Sequence, residues 1–213
     1  MHKINLFEIQ KSSLDIKYLK DNSKLGLDIT TDIIDSLSGM PILGSLLKIG
    51  KIGLNVIDLF FIKKLAKFIE QSDEISEEEK NNFLSSLDKK DNEHISSYLL
   101  HLLYISEEEE KAKIMGIIYK ARILNEIDND MMLRLCSIVS KSFLPDLKKL
   151  PYYTEKNHEG SVEANNFINL GLIDNSVAGL IVNKPFWQLN EIGNQLYEIL
   201  NQNKWFEENT QVL

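Results

Sequence analysis

The chain has 213 residues, 43% of them hydrophobic and 26% charged, with a net charge of −8; this is a globular composition, long enough for one domain with appendages or two small ones. Its single cysteine, Cys136, excludes a disulfide scaffold and any cysteine-based zinc site within one chain. Four prolines and ten glycines favour long helices over a sandwich of short strands, and the acid excess argues against a protein whose main task is coating nucleic acid.

In chain order, Met1 to Gln10 lacks the apolar core of a signal peptide. A cytoplasmic protein is expected, or one that meets the inner membrane from the cytosolic side. Lys3 to Ile9 and Leu14 to Leu19 are compatible with short strands, and Asp21-Asn22-Ser23 supplies turn chemistry. From Lys24 the pattern is helical, with Leu25, Ile29, Ile33, Ile34 and Leu37 on one face. Gly39 and Pro41 break it, and a second helix is predicted from Pro41 to about Glu70.

The middle of the chain carries clearer punctuation. Ser76 to Glu79 and Ser106 to Glu109 both fit the S-x-x-E capping box. They predict helices to about Leu87 and Leu124, with Asp91 to Ile105 helical between them. Asp128 or Asp130 caps a further helix through Met132, Leu135, Cys136 and Val139. A short piece follows from Phe143 to Leu150, where Pro151 stops it. Short connections between four or five helices point to an antiparallel bundle.

The last third changes character. Ser161 to Leu170 reads as a short helix with Gly171 past its end. Leu172-Ile173, Ala178 to Val182 and Phe186 to Leu189 read as strands, and Asn190 caps a last helix through Leu200. Helix, strand, turn, strand, helix is the closing half of a winged helix-turn-helix. The expected fold is therefore mainly α: a helical bundle with an apolar N-terminal helical hairpin and a C-terminal winged-helix-like module. The expected divisions are residues 1–70, 71–150 and 151–213.

Charge follows these divisions. Residues 1–70 carry ten lysines against eight acids, a net of +2; 71–150 and 151–213 each carry −5. The basic end is also the most apolar. Residues 36–57 hold only two charges, Lys48 and Lys51, and the longest charge-free run there, Ser36 to Leu47, has 12 residues. A simple spanning helix needs about 20 apolar residues, so this is no ordinary anchor. On a helix, Lys48, Lys51, Asn55 and Asp58 form one narrow polar stripe, and the rest of the surface is apolar. Gly44, Gly50 and Gly53, with Gly39 and Pro41 upstream, permit bending or close helix approach. Lys63, Lys64 and Lys67 form a basic cuff of the kind found beside an anionic leaflet. Three readings stay open: a buried hairpin with a solvated stripe, a membrane-active hairpin whose stripe lines a water-filled path in an oligomer, and an oligomerisation helix.

Sites for chemistry are few. The glycines at 39 and 44 have P-loop spacing, but no lysine follows and no strand leads in. Asp128-Asn129-Asp130 starts like a calcium loop, yet Leu133 and Val139 occupy the positions that need Gly and Glu. His94 and His101 would need a third ligand such as Glu93 or Glu108 to hold zinc. No metal, cofactor or catalytic residue is expected, nor an enzyme. The helix at Ser161 contains Glu163 and no lysine or arginine, which disfavours duplex DNA, since phosphate neutralisation dominates such binding. Tyr152, Tyr153, Phe186 and Trp187 are candidate anchors for a regulatory protein partner or a single-stranded nucleic-acid ligand. Trp205 and Phe206 could join them.

Several stretches carry a family likeness. They are Met40 to Gly44, Leu59-Phe-Phe-Ile-Lys-Lys-Leu-Ala-Lys-Phe68, Ile75-Ser-Glu-Glu-Glu79, Lys111 to Gly116 and Ala121 to Asp128. Together they resemble a group of bacterial helical proteins with an apolar Pro/Gly-bearing helix, a lysine-flanked helix and an acidic cap. Leu170-Gly-Leu-Ile173 with Gln188-Leu-Asn-Glu-Ile-Gly193 is similar to the ending of abortive-infection alpha-type (Abi-alpha) proteins, with Asn190 in place of the usual Thr cap. The resemblance covers roughly residues 36–200, and the order of the motifs carries most of it. It implies a setting in anti-phage defence and a likeness to the membrane effectors of Hailong-type systems. The expected function is a homo-oligomeric, channel- or pore-type membrane effector regulated through its soluble parts. The alternative is a soluble winged-helix adaptor or transcriptional regulator.

Overall fold

The computed structural model describes residues 59–72, 74–87, 89–157, 161–175 and 186–210. The polar stripe (Lys48, Lys51, Asn55, Asp58), the hinge residues (Gly39, Pro41, Gly44, Gly50, Gly53) and the strand expected at Ala178 to Val182 lie outside them. The described chain is mainly helical, with nine α-helices, one 3-10 turn and one two-stranded antiparallel sheet among the described residues. It divides into two compact units, the first ending at Gly116 and the second beginning at Ile117.

In the first unit, α1 (Leu59–Glu70) ends at the predicted residue. The box at Ser76 opens α2 (Glu77–Ser85). Both reciprocal bonds are present: the Ser76 N–H donates to Glu79 Oε2 at 2.9 Å, and the Glu79 N–H donates to Ser76 Oγ at 3.2 Å. Next come α3 (Lys89–Ile105) and α4 (Glu109–Ile123). Apolar residues of α3 recur at Ile95, Leu99, Leu102 and Leu103, and all four are buried. Each such side chain contributes about 1.5–3 kcal/mol. Along α4, burial reaches beyond the predicted stripe of Ala112, Met115, Ile118, Tyr119 and Ile123 to Ile114 and Ile117. A helix buried nearly all round needs no strong polar face.

Gly116 marks a close crossing in this unit. A Cβ there would stand 2.5 Å from the Phe68 carbonyl oxygen and 2.8 Å from the Gln71 Cγ. Only glycine lets α4 come this near to α1.

In the second unit, α4 closes on a Schellman motif. The Asn125 N–H donates to the Arg122 carbonyl and the Glu126 N–H to that of Ala121, with Asn125 at φ 59°. The buried Arg122 guanidinium donates to Asn125 Oδ1 (2.9 Å) and Asn129 Oδ1 (2.6 Å), fastening this turn to the next helix. That helix, α5 (Asn129–Lys141), is capped by Asp128, whose Oδ1 accepts from the Met131 N–H. Met132, Leu135, Cys136 and Val139 are buried as the spacing predicts, and burial pushes the Cys136 thiol pKa up. Pro151 does not stop the next piece: α6 (Leu144–Leu147) is followed by a 3-10 turn, Leu150–Tyr153, with Pro151 in its opening. Proline suits a first turn because its missing N–H has no partner there anyway.

The C-terminal part follows as α7 (Val162–Asn169), β1 (Ile173–Asn175), β2 (Trp187–Leu189) and α8 (Glu191–Gln202). The strands pair with Ile173 opposite Leu189 and Asn175 opposite Trp187. A last helix, α9 (Trp205–Thr210), has no counterpart in the sequence reading. Trp205 is fully buried and Phe206 nearly so, so these two are core residues and not free anchors.

Candidate functional site

Two places gather the residues singled out by sequence. The first is the junction of α1 and α3. The N-terminal half of α1 lies at the C-terminal end of α3, where helix carbonyls have no partner within their own helix. The Ser106 N–H donates to the Leu102 carbonyl, and its hydroxyl to that of Leu103. Ser106 therefore finishes α3 and does not cap α4, contrary to the capping-box expectation. The Lys64 ammonium donates at 2.8 Å to the Tyr104 carbonyl and at 2.8 Å to that of Ser106. It also lies 5.9 Å from the centre of the Phe61 ring, which meets Tyr104 edge to face at 5.7 Å.

The three lysines of the expected cuff thus have different settings. Lys64 is only 7% exposed, because its stem follows the buried face and its head is needed by α3. Lys67 is half-buried and pairs with Glu70 at 3.0 Å. Lys63 is half-buried. Beside them, Tyr104 (65% exposed) and Ile105 (48%) leave apolar surface open at the end of α3. Neither was singled out by sequence; the signal available was an apolar pair running past the last polar residue of a helix.

The second place is the small sheet and α7. The helix runs alongside α6 and the 3-10 turn, joined by polar links: Asn166 Nδ2 to Asp146 Oδ2 at 2.7 Å, Lys149 paired with Glu163, and Tyr153 with Ser161 through their hydroxyls at 2.7 Å. Ser161 also caps α7 by accepting from the Ala164 N–H. The far end is a second Schellman motif, with Gly171 at φ 73°, its N–H donating to the Ile168 carbonyl and the Leu172 N–H to that of Phe167.

Asn190 then does two jobs. Its Oδ1 accepts from the Gly193 N–H at 3.0 Å, capping α8, and its Nδ2 donates to the Gly171 carbonyl at 2.9 Å. Gly193 sits against the strand entry, since a Cβ there would fall 2.1 Å from the Leu172 oxygen. On the far side of β2, Asn157 and Trp187 exchange both backbone hydrogen bonds, at 3.0 and 2.8 Å.

The four candidate anchors separate as well. Tyr152 is 68% exposed, whereas Tyr153 is buried against Phe167, ring edge to ring face, and is a core residue and not a free anchor. Phe186 is half-buried beneath the Lys156 ammonium, 4.7 Å from the ring centre, and Trp187 is half-buried in β2. Val162, at the start of α7, is also well exposed. His94 and His101 are exposed, and among the described residues no group of three or more His, Cys, Asp or Glu is placed to hold a metal ion. No family model, curated protein or solved structure matches the chain.

Proposed function

We propose that this protein is a membrane-active effector of bacterial anti-phage defence, acting as a homo-oligomer. The observation that carries the reading is the sequence of residues 36–57, whose two lysines would share one polar stripe on a helix and which leads through Asp58 to α1. None of the helices among the described residues is long and apolar enough to cross a membrane, and the reading assigns the membrane-active part to the residues before Leu59. The resemblance to Abi-alpha proteins and Hailong-type effectors supports the same setting. In an oligomer, Lys48, Lys51, Asn55 and Asp58 would face a water-filled path, where a lysine costs less than it does against lipid. Dye release from anionic vesicles by the purified chain tests this. Exchanging Lys48 and Lys51 for Glu should change ion selectivity; absence of release together with a wholly soluble cellular fraction would refute the reading.

A second reading has its own support. Asn157, β2 and β1 lie side by side with Trp187 in the middle, and in the chain α7 comes before β1 and α8 after β2. This is compatible with a wing that binds a regulatory protein or a single-stranded ligand. Duplex DNA fits poorly, because α7 offers no cation and Glu163 engages the nearby Lys149. A salt titration of DNA binding discriminates: a steep slope would favour an operator-binding regulator.

A further inference from the structure

From His94 to Ser106 the chain runs 13 residues without a lysine, arginine, aspartate or glutamate, although 26% of all its residues are charged. Burial accounts for one side of this run: Ile95, Ser96, Leu99, Leu102 and Leu103 are core residues. The other side is open. His94, Ser97, His101, Tyr104 and Ile105 are exposed, and Tyr98 is half-buried. The outer face of a helix is ordinarily where its charges sit. A face without them, rich in aromatic side chains, has the composition of an interface core.

The spacing of that face fits another helix. His94, Tyr98, His101 and Ile105 follow one another at intervals of 4, 3 and 4 residues, the rhythm that keeps a seam turned toward a partner helix. The seam covers about 16 Å of α3. Charge selects its occupant. A strongly charged partner finds nothing on the seam to pair with, and two copies of a chain with net charge −8 repel wherever their acidic faces meet. The seam is a face on which two copies approach without that opposition. The ends of the run set the direction. Glu107 to Glu110 put four acids just past α3, whereas its start is mixed, with Lys89 and Lys90 against Asp88, Asp91 and Glu93. A parallel pair would set four acids against four; an antiparallel pair sets them against the mixed start.

We propose that the protein self-associates through α3, two copies lying antiparallel about a two-fold axis near Leu99 and Leu100, so that the seam is its own complement. His101 of one copy then faces the partner's Tyr98, and His94 faces the partner's Ile105. One helix face is small beside the roughly 800 Å² per partner of a standard interface, so the pair forms and separates with concentration. The proposal rests on the homo-oligomer part of the reading above, whose surface it names, and is independent of the membrane part.

Sedimentation of the full chain over a concentration series tests it. The wild type should gain mass with concentration. His101→Glu places two carboxylates within the seam and should weaken association on the order of a hundredfold, with the urea midpoint unchanged. Asn82→Glu adds the same charge at an exposed site on α2 and should leave association as it is. A chain that stays monomeric would overturn the proposal together with the homo-oligomer reading. An assembly that His101→Glu weakens no more than Asn82→Glu would overturn the proposal alone and leave that reading to another surface. A monomer whose urea midpoint falls with His101→Glu would place part of the chain itself on the seam, which also overturns it. Disulfide formation reads the direction, since Cys136 is fully buried. His94→Cys mixed with Ile105→Cys should give a mixed covalent dimer under mild oxidant; each variant joining only to itself would overturn the antiparallel pairing.

Discussion

The two ends of the described chain close their helices by opposite means. At the α1–α3 junction, the carbonyls that α3 leaves over are satisfied by Ser106 and by a lysine from another helix. In the C-terminal part every cap described is local: Ser161 three residues before Ala164, Gly171 just past α7, Asn190 three residues before Gly193. Local caps form with the helix they end and depend little on anything else. A cap supplied from a distance exists only while two helices stay docked, and here that docking also rests on the buried Leu65, Ala66 and Phe68. The C-terminal part is accordingly expected to be the more rigid region, and the junction to depend on a contact between helices.

The largest expected effect tests that rigidity. Gly193→Ala puts a methyl into the Leu172 carbonyl, with no flexible side chain to move aside. It should destabilise the chain by about 2–3 kcal/mol, read as a fall in the midpoint of urea unfolding. Gly116→Ala makes the matching change in the first unit. There the crossing is less tight, one of the two nearest neighbours is the Gln71 side chain, and alanine gains helix propensity. A loss of about 1–2 kcal/mol is expected. If Gly116→Ala costs more than Gly193→Ala, the contrast between a rigid and a yielding region is reversed. Ser161→Ala removes a cap and the hydroxyl partner of Tyr153 together, for about 1–2 kcal/mol in the same measurement. Asn190→Thr keeps a capping oxygen but loses the amide reach to Gly171, and should cost under about 1 kcal/mol.

The smallest effect is a matter of pH. Hydrogen bonds from the Ser76 side chain and backbone hold the Glu79 pKa below the ordinary glutamate value. A carboxylate with a lowered folded pKa stabilises fully above its unfolded value, and the benefit is lost as pH falls through the folded one. Carbon-detected NMR titration should show Glu79 titrating below the ordinary glutamate value, with the α2 start fraying as pH falls through that folded value. Ser76→Ala should bring Glu79 back toward the ordinary glutamate value.

The same division explains what the sequence could reveal. The N-caps and the αL glycine announced most of the second unit, because each involves residues three to five apart: Asp128, Ser161, Gly171 and Asn190 all act where their spacing places them. Ser106 misled, because its hydroxyl can serve the helix behind it as readily as the one ahead, and spacing does not choose between them. Lys64 was read with its neighbours Lys63 and Lys67, as charge. Its position offered another reading: Phe61, Lys64, Leu65 and Phe68 fall at helical spacing on the face that packs inward, and a lysine on that face asks for acceptors. Which acceptors is a long-range matter that no local pattern contains. Tyr153 and Trp205 look like surface anchors for the same reason. Aromatic residues near turns suit both a partner and a core, and only the packing of α7, and that of Trp205 with the adjacent Phe206, decides.

The division of the chain at Gly116 and Ile117 has a practical side. It falls in the middle of a continuous helix and not in a linker, with Ile114 and Met115 on one side and Ile117 and Ile118 on the other, all buried. A protease meets no exposed loop there, and a cut would leave two apolar stubs. Dissecting this protein into separately expressed halves there should therefore yield insoluble fragments.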